Sequence, residues 1–191
     1  DQTGKFPHMS SRGNKYTMVL TEIDTNSIWV EAMKNKTEGE MILARRRALA
    51  RMKKCGILPK KQVLDNEASE AFKSEIKKNC NLQLVPPDTH RRNLAERAIQ
   101  TFKSHFIAGL STTHPNFPLN QWDKLLPQAV LTLNLMRPSR LHPHLSAHHM
   151  VHGAFDYSSH PIAPPGMRVL AHALPDKRRS WAPHATEGFY L

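Results

Sequence analysis

The sequence predicts an α/β fold in which a mixed sheet is covered by helices. Three observations carry that expectation. Apolar and β-branched runs of four to ten residues alternate with stretches of helical periodicity, in the order strand, strand, helix, strand, helix, strand, helix, helix. The chain has 191 residues with 39% hydrophobic content, enough for one sizeable core plus a tail. No apolar run approaches the ~20 residues of a membrane span.

Residues 15–24 (KYTMVLTEID) are rich in β-branched and large apolar side chains and read as a buried strand. Residues 27–34 (SIWVEAMK) read as a second, with Asp24, Thr25 and Asn26 supplying the turn between them. From Thr37 to about Cys55 the pattern is helical. Glu38 and Glu40 lead, Arg45, Arg46, Arg47, Arg51, Lys53 and Lys54 follow, and Gly56 is a natural stop. That basic run reads as a solvated helix face, with DNA contact as the alternative. A short strand at 61–65 ends on Asp65, a helix over 69–79 turns Phe72 and Ile76 inward, and a strand follows at 82–85.

Pro86 and Pro87 block a helix, after which Asn93 offers an N-cap and Glu96 can close a capping box. Leu94, Ala98, Ile99, Phe102 and Phe106 recur at helical spacing and should face the core. Glu96, Gln100 and Lys103 stand at i, i+4 and i+7 on another face. Taken alone, Glu96 is a capping glutamate; its position on a face with an amide and an ammonium would also suit metal-bound phosphate chemistry. A further helix is expected over 120–137, with Pro127 kinking it or marking a late start.

Beyond Arg137 helical periodicity fades, and half of the prolines and eight of the twelve histidines lie there. The cluster His142, His144, His148, His149 and His152 reads as loop and surface histidines, because neither Cys55 nor Cys80 is near it in sequence to complete a zinc site. Residues 167–172 and 188–191 look like short strands of an appended module. Lys177, Arg178, Arg179 and Trp181 read as a solvated linker, with a phosphate-binding role as the alternative.

Formal net charge is +11 and the sequence pI about 10.0, which points to a polyanionic partner, most simply nucleic acid. Two cysteines imply no disulfide framework. The acids then narrow the chemistry. Two-metal phosphoryl transfer needs about three carboxylates converging on two ions. Asp65 closes a strand, Glu96 opens a helix one strand later, and for the remaining acid both Asp1 and Asp24 are candidates.

Three segments carry a resemblance: Asp1-Gln-Thr-Gly-Lys-Phe-Pro7, Leu64-Asp-Asn66 and His90-Arg-Arg-Asn-Leu-Ala-Glu-Arg97, supported by the apolar hairpin at 15–34 and by Arg137-Pro-Ser. In this order they resemble the integrase catalytic core of copia-type LTR retrotransposons, within the retroviral integrase and D-D-E transposase superfamily. The resemblance implies a ribonuclease H-like fold over 1–155, with 156–191 a linker and the start of an incomplete C-terminal module. It implies that Asp1, Asp65 and Glu96 are catalytic and hold two Mg²⁺ (or Mn²⁺) ions. It directs Arg91, Arg92, Asn93, Arg97, Gln100 and Lys103 toward DNA.

The implied activity is metal-dependent 3′-end processing and strand transfer on element ends and target DNA. It implies a homo-oligomer acting in the nucleus, with a cytoplasmic particle stage and no membrane. A catalytically inactive nucleic-acid-binding remnant and a ribonuclease H-type nuclease are the alternatives. The sequence departs from the family pattern in having Asn66–Glu67 where Asn-Gly is usual. It also has a somewhat short interval of thirty residues between Asp65 and Glu96. In this family the first acid lies within a central strand, so residues 1–191 are expected to carry that strand truncated. A free α-amino group at Asp1 should then put positive charge beside the metals.

Overall fold

A computed structural model describes residues 1–64, 68–85 and 94–191. The chain is ordered β1 (Tyr16–Thr21), β2 (Ile28–Met33), α1 (Glu38–Lys54), β3 (Lys61–Leu64), α2 (Glu70–Lys77), β4 (Asn81–Leu84), α3 (Leu94–Ser111), α4 (Leu126–Met136), α5 (Ala147–His152), β5 (Arg168–His172) and β6 (Ala185–Phe189). The strands expected at 15–24, 27–34, 61–65 and 82–85 and the helices expected at 37–55, 69–79 and around Glu96 are present.

The β1–β2 hairpin is antiparallel, with Tyr16 opposite Met33 and Thr21 opposite Ile28. Its side chains alternate between two cores, as a pleated strand requires. Val19, Ile28 and Val30 enter one core with Ala98, Phe102, Phe106, Trp122, Leu126 and Leu133 of α3, α4 and the turn before α4. Met18 and Met33 enter the other with Ala44 of α1 and Phe72 and Ile76 of α2, against which Leu64 of β3 and Leu82 of β4 also pack. The result is three layers, helices on both faces of the strands. Burying each large apolar side chain contributes roughly 1.5–3 kcal/mol, so the two clusters supply most of the driving force.

Residues 1–3 run antiparallel beside β1. The Val19 amide donates to Asp1 O (2.8 Å) and the Thr3 amide to Thr17 O (2.9 Å). Two aromatic contacts fasten this segment: Phe6 stacks on Trp122 at 4.4 Å between centroids, and Trp122 Nε1 donates to His8 O at 2.9 Å. The parallel pair β3–β4 aligns Lys61 with Asn81 and Leu64 with Leu84. One continuous hydrogen-bonded sheet was the expectation. Among the described residues the antiparallel and parallel strands instead form separate pairs, joined through the core they share with α1 and α2.

Four further differences from the sequence reading have clear causes. The expected helix at 120–137 divides into a 3₁₀ turn, Leu119–Lys124, and α4, because Pro127 sits in the first turn of α4 where its missing N–H costs nothing. The second half of the histidine-rich stretch forms α5, while His142 and His144 lie exposed ahead of it as expected: Ser146 caps α5 by accepting from the His149 amide (3.0 Å), and His148 is buried against α4 and Phe155. Arg45 of α1 is buried instead of solvated, whereas the rest of the basic run is exposed as expected, with Arg46, Arg47 and Arg51 ion-paired on the surface. Finally, the C-terminal segment lies on the core: Phe189 meets Phe117 edge-on at 5.4 Å, and the Gly166 amide donates to Tyr190 O (2.8 Å). Gly166 has φ +66°, and a Cβ there would lie 2.8 Å from Thr113 Cγ2, so only glycine fits.

Candidate active site and its basic surroundings

Glu96 lies in the first turn of α3, exposed, at the helix end where the backbone dipole favours an anion. Its helix is held by Ala98, Phe102 and Phe106, which belong to the same core as Val19 of β1. Asp1 is hydrogen-bonded to that same Val19 through both backbone groups. The strand segment carrying the first acid and the helix carrying the last are thus both built against β1. Asp65 directly follows β3; it lies outside the described residues, as do Arg91, Arg92 and Asn93, and with Asn93 the expected cap of α3.

Asp1 Oδ1 accepts from the Gln2 amide at 2.7 Å, which leaves lone pairs on both carboxylate oxygens. The α-amino group of Asp1 donates to Val19 O at 3.0 Å, and burial lowers its pKa from 8.0 to about 6.

Down the exposed face of α3 stand Arg97, Gln100 and Lys103, and among the described residues no side chain pairs with them or with Glu96. The expected i, i+4, i+7 face is thus real and open to solvent. On α1 the opposite holds. Arg45 is fully buried, its Nε donating to Gln62 Oε1 (2.9 Å), and burial lowers its pKa. Arg46 binds Glu75 at 2.7 Å, while Arg47 and Arg51 both reach Glu31, at 3.4 and 2.8 Å. Arg51 also covers the Trp29 ring at 5.5 Å.

The zinc argument changes as well. Cys55, remote in sequence from the histidines, lies with Sγ 3.8 Å from His152 Nδ1, because the C-terminus of α1 meets α5. Even so, among the described residues no three His, Cys, Asp or Glu side chains gather as a metal-binding group. A cavity of about 290 Å³ lies between the C-terminal half of α3, α4 and residues 162–165, with mostly apolar walls around His105 and Gln128. His105 is roughly 13 Å along the helix axis from Glu96, so that cavity is not the acid site.

No family model matches the chain, and no curated protein matches it by sequence. Solved structures do match. The catalytic core domain of BIV integrase superposes with a TM-score of 0.55 at 14% identity, covering 79% of this chain and 90% of that one. A chain of the simian T-cell lymphotropic virus intasome, solved in complex with PP2A regulatory subunit B56 gamma, superposes with a TM-score of 0.59 at 17% identity. That match covers 95% of this chain and 64% of the other. The fold is the ribonuclease H-like fold of an integrase catalytic core. At these identities the likeness concerns the fold alone.

The donor set suits the ions that such cores use. Carboxylate oxygens are hard donors that select Mg²⁺ or Mn²⁺ over softer ions. Glu96 has no competing ion pair among the described residues, and the Asp1 carboxylate keeps free lone pairs.

The sequence missed two features of this surface. That Arg45 would be interior had a weak signal in its place among Ala44, Ala48 and Met52 on the buried stripe of α1. The helix α5 was signalled by Ser146 with His148 and His152 one turn apart, but proline and histidine density around it hid the pattern.

Proposed function

We propose that this chain is the catalytic core of a copia-type retrotransposon integrase, which trims DNA ends and joins the resulting 3′-hydroxyl to a target phosphodiester. The observation that carries the proposal is an exposed glutamate opening the helix packed on β1, in an integrase-core fold, with unpaired Arg97, Gln100 and Lys103 following it. The resemblance of the Asp1, Asp65 and Glu96 segments to the family supports the same reading.

Asp1, Asp65 and Glu96 would hold the divalent ions, which when bound supply Lewis-acid activation and neutralise phosphate charge. The chain's own contribution is positioning. The α3 helix fixes Glu96 on a rigid support, and Lys103 on the same face, with Arg97 to its side, would hold the DNA backbone. Gln100, between them, can donate to a phosphate oxygen or accept from a base edge. Because these contacts are to phosphate, binding would be strongly salt-dependent and little dependent on sequence. One structural relative belongs to an intasome; we take this chain likewise to act as an oligomer on DNA, in the nucleus.

The test is Glu96→Gln. Mg²⁺-dependent joining of pre-trimmed ends should fall at least 100-fold, with duplex binding and melting temperature nearly unchanged. Joining at wild-type rate would return Glu96 to a capping role. Binding without joining in the wild type would favour a nucleic-acid-binding remnant, and selective cutting of an RNA–DNA hybrid would favour a ribonuclease H-type nuclease.

A further inference from the structure

The β5–β6 hairpin has a firmly held base and an exposed tip. At the base, His114 donates its amide to Gly166 O (3.1 Å), Tyr190 donates its amide to Met167 O (2.9 Å), and the Tyr190 hydroxyl donates to Pro161 O (3.0 Å). Phe189, beside them, packs into the α3–α4 core. Five register pairs run from Arg168–Phe189 to His172–Ala185, and the Ala173 amide donates to His184 O at 2.8 Å, closing the ladder.

Between Ala173 and His184 the chain folds into two tight turns, closed by Lys177 N–H to Leu174 O (3.0 Å) and Ala182 N–H to Arg179 O (3.0 Å). These turns carry Lys177, Arg178, Arg179 and Trp181, with Asp176 the only acid among residues 173–184.

Trp181 is 99% exposed, whereas Trp29 and Trp122 are 4% and 0% exposed. Both faces of its indole are open to solvent. Lys177 and Arg179 are exposed on the same turns. An uncovered aromatic plane on a turn segment that also carries three cations within four residues of it matches the two requirements of single-strand recognition: a surface on which a base stacks and groups that hold the phosphates on either side. Inside a duplex the base faces are already stacked on one another, so an unpaired base has far more face to offer the ring than a duplex does.

We infer that the β5–β6 tip is a docking site for unpaired nucleotides, with Trp181 stacking a base and Lys177, Arg178 and Arg179 binding the flanking phosphates. The inference rests on the nucleic-acid part of the proposed function and needs neither the acids nor a metal. It gives the C-terminal hairpin a task distinct from the α3 face: α3 grips backbone, and the tip captures an unpaired end.

Tryptophan emission tests this directly, because only Trp181 is accessible. A twelve-nucleotide thymidine single strand should quench that emission saturably. Heparin, a polyanion without bases, should bind without comparable quenching. Trp181→Ala should weaken binding of the labelled oligonucleotide about tenfold while changing binding of a blunt duplex less than twofold. Trp181→Phe should recover part of the loss. Replacing Lys177, Arg178 and Arg179 together by alanine should lower the slope of log K against log salt for the oligonucleotide by about 2.

Equal quenching by heparin, equal weakening of duplex and oligonucleotide by Trp181→Ala, or a blue shift seen only with phosphatidylserine vesicles would overturn the inference. Duplex binding with no response to the oligonucleotide would sink the tip site and leave the proposed function standing. Failure to bind any nucleic acid would remove both.

Discussion

Helices α1 and α3 are similar in length, flank the same β1–β2 hairpin from opposite faces, and both carry basic residues on a mixed sequence. In α1 one arginine turns inward and three lie exposed but ion-paired. Arg45 is buried against Gln62, Arg46 holds α2 through Glu75, and Arg47 and Arg51 hold β2 through Glu31. In α3 the apolar stripe does the packing, and Arg97 and Lys103 are left to solvent. The difference lies in what each helix faces. The β2 side chains toward α1 include Glu31, so α1 needs cations at its interface. The β1 and β2 side chains toward α3 are Val19, Ile28 and Val30, which need only apolar partners. Charge on a helix becomes a ligand surface only where the neighbouring element leaves it unmatched.

That contrast can be broken most sharply at Arg45. Arg45→Ala should cost about 2–4 kcal/mol in urea unfolding, because it leaves a cavity and strips Gln62 of its partner. Arg45→Met, which fills the space without a charge to desolvate, should recover most of that loss. A cost below ~0.5 kcal/mol for Arg45→Ala would mean that the α1–β3 contact is not part of the stable core.

Next in size is a pH effect at the α1–α2 junction. Hydrogen bonds from Arg46 and Lys78 lower the Glu75 pKa from 4.5 to about 2. A carboxylate with a depressed folded-state pKa stabilises the fold above its unfolded value, and the contribution fades as pH falls through the folded one. Wild type should therefore be more stable than Glu75→Gln at pH 6, with the gap closing between about pH 4.5 and pH 2. A gap independent of pH over that window would show that Glu75 acts through packing and not through charge.

The smallest effect sharpens the comparison on the side of function. Lys103→Ala should reduce the slope of log K against log salt for duplex DNA by about 0.9. Arg47→Ala, removing a cation that Glu31 and the Ala32 carbonyl already occupy, should leave it unchanged. Equal changes would mean that α1 also faces the DNA.

Much of this molecule was legible in the chain because its elements are punctuated locally. Turn residues 24–26, the Pro86–Pro87 block and the period-two and period-3.6 apolar patterns each act over a few residues, so they place the strands and helices without knowledge of the fold. The apolar side of α3 follows from Ala98, Phe102 and Phe106 alone, and with it the exposure of Glu96 and Lys103 on the other side.

What the chain could not disclose depends on partners distant in sequence. Arg45 is interior because Gln62 and Cys80 arrive beside it, and Cys55 meets His152 because α1 ends where α5 packs. Asp1 shares β1 with the α3 helix through hydrogen bonds to Val19. Local sequence sets which backbone conformation is cheap. Which polar groups are matched, buried or left for a ligand is set only when separate elements are brought together, since desolvation and pairing depend on what lies across the interface.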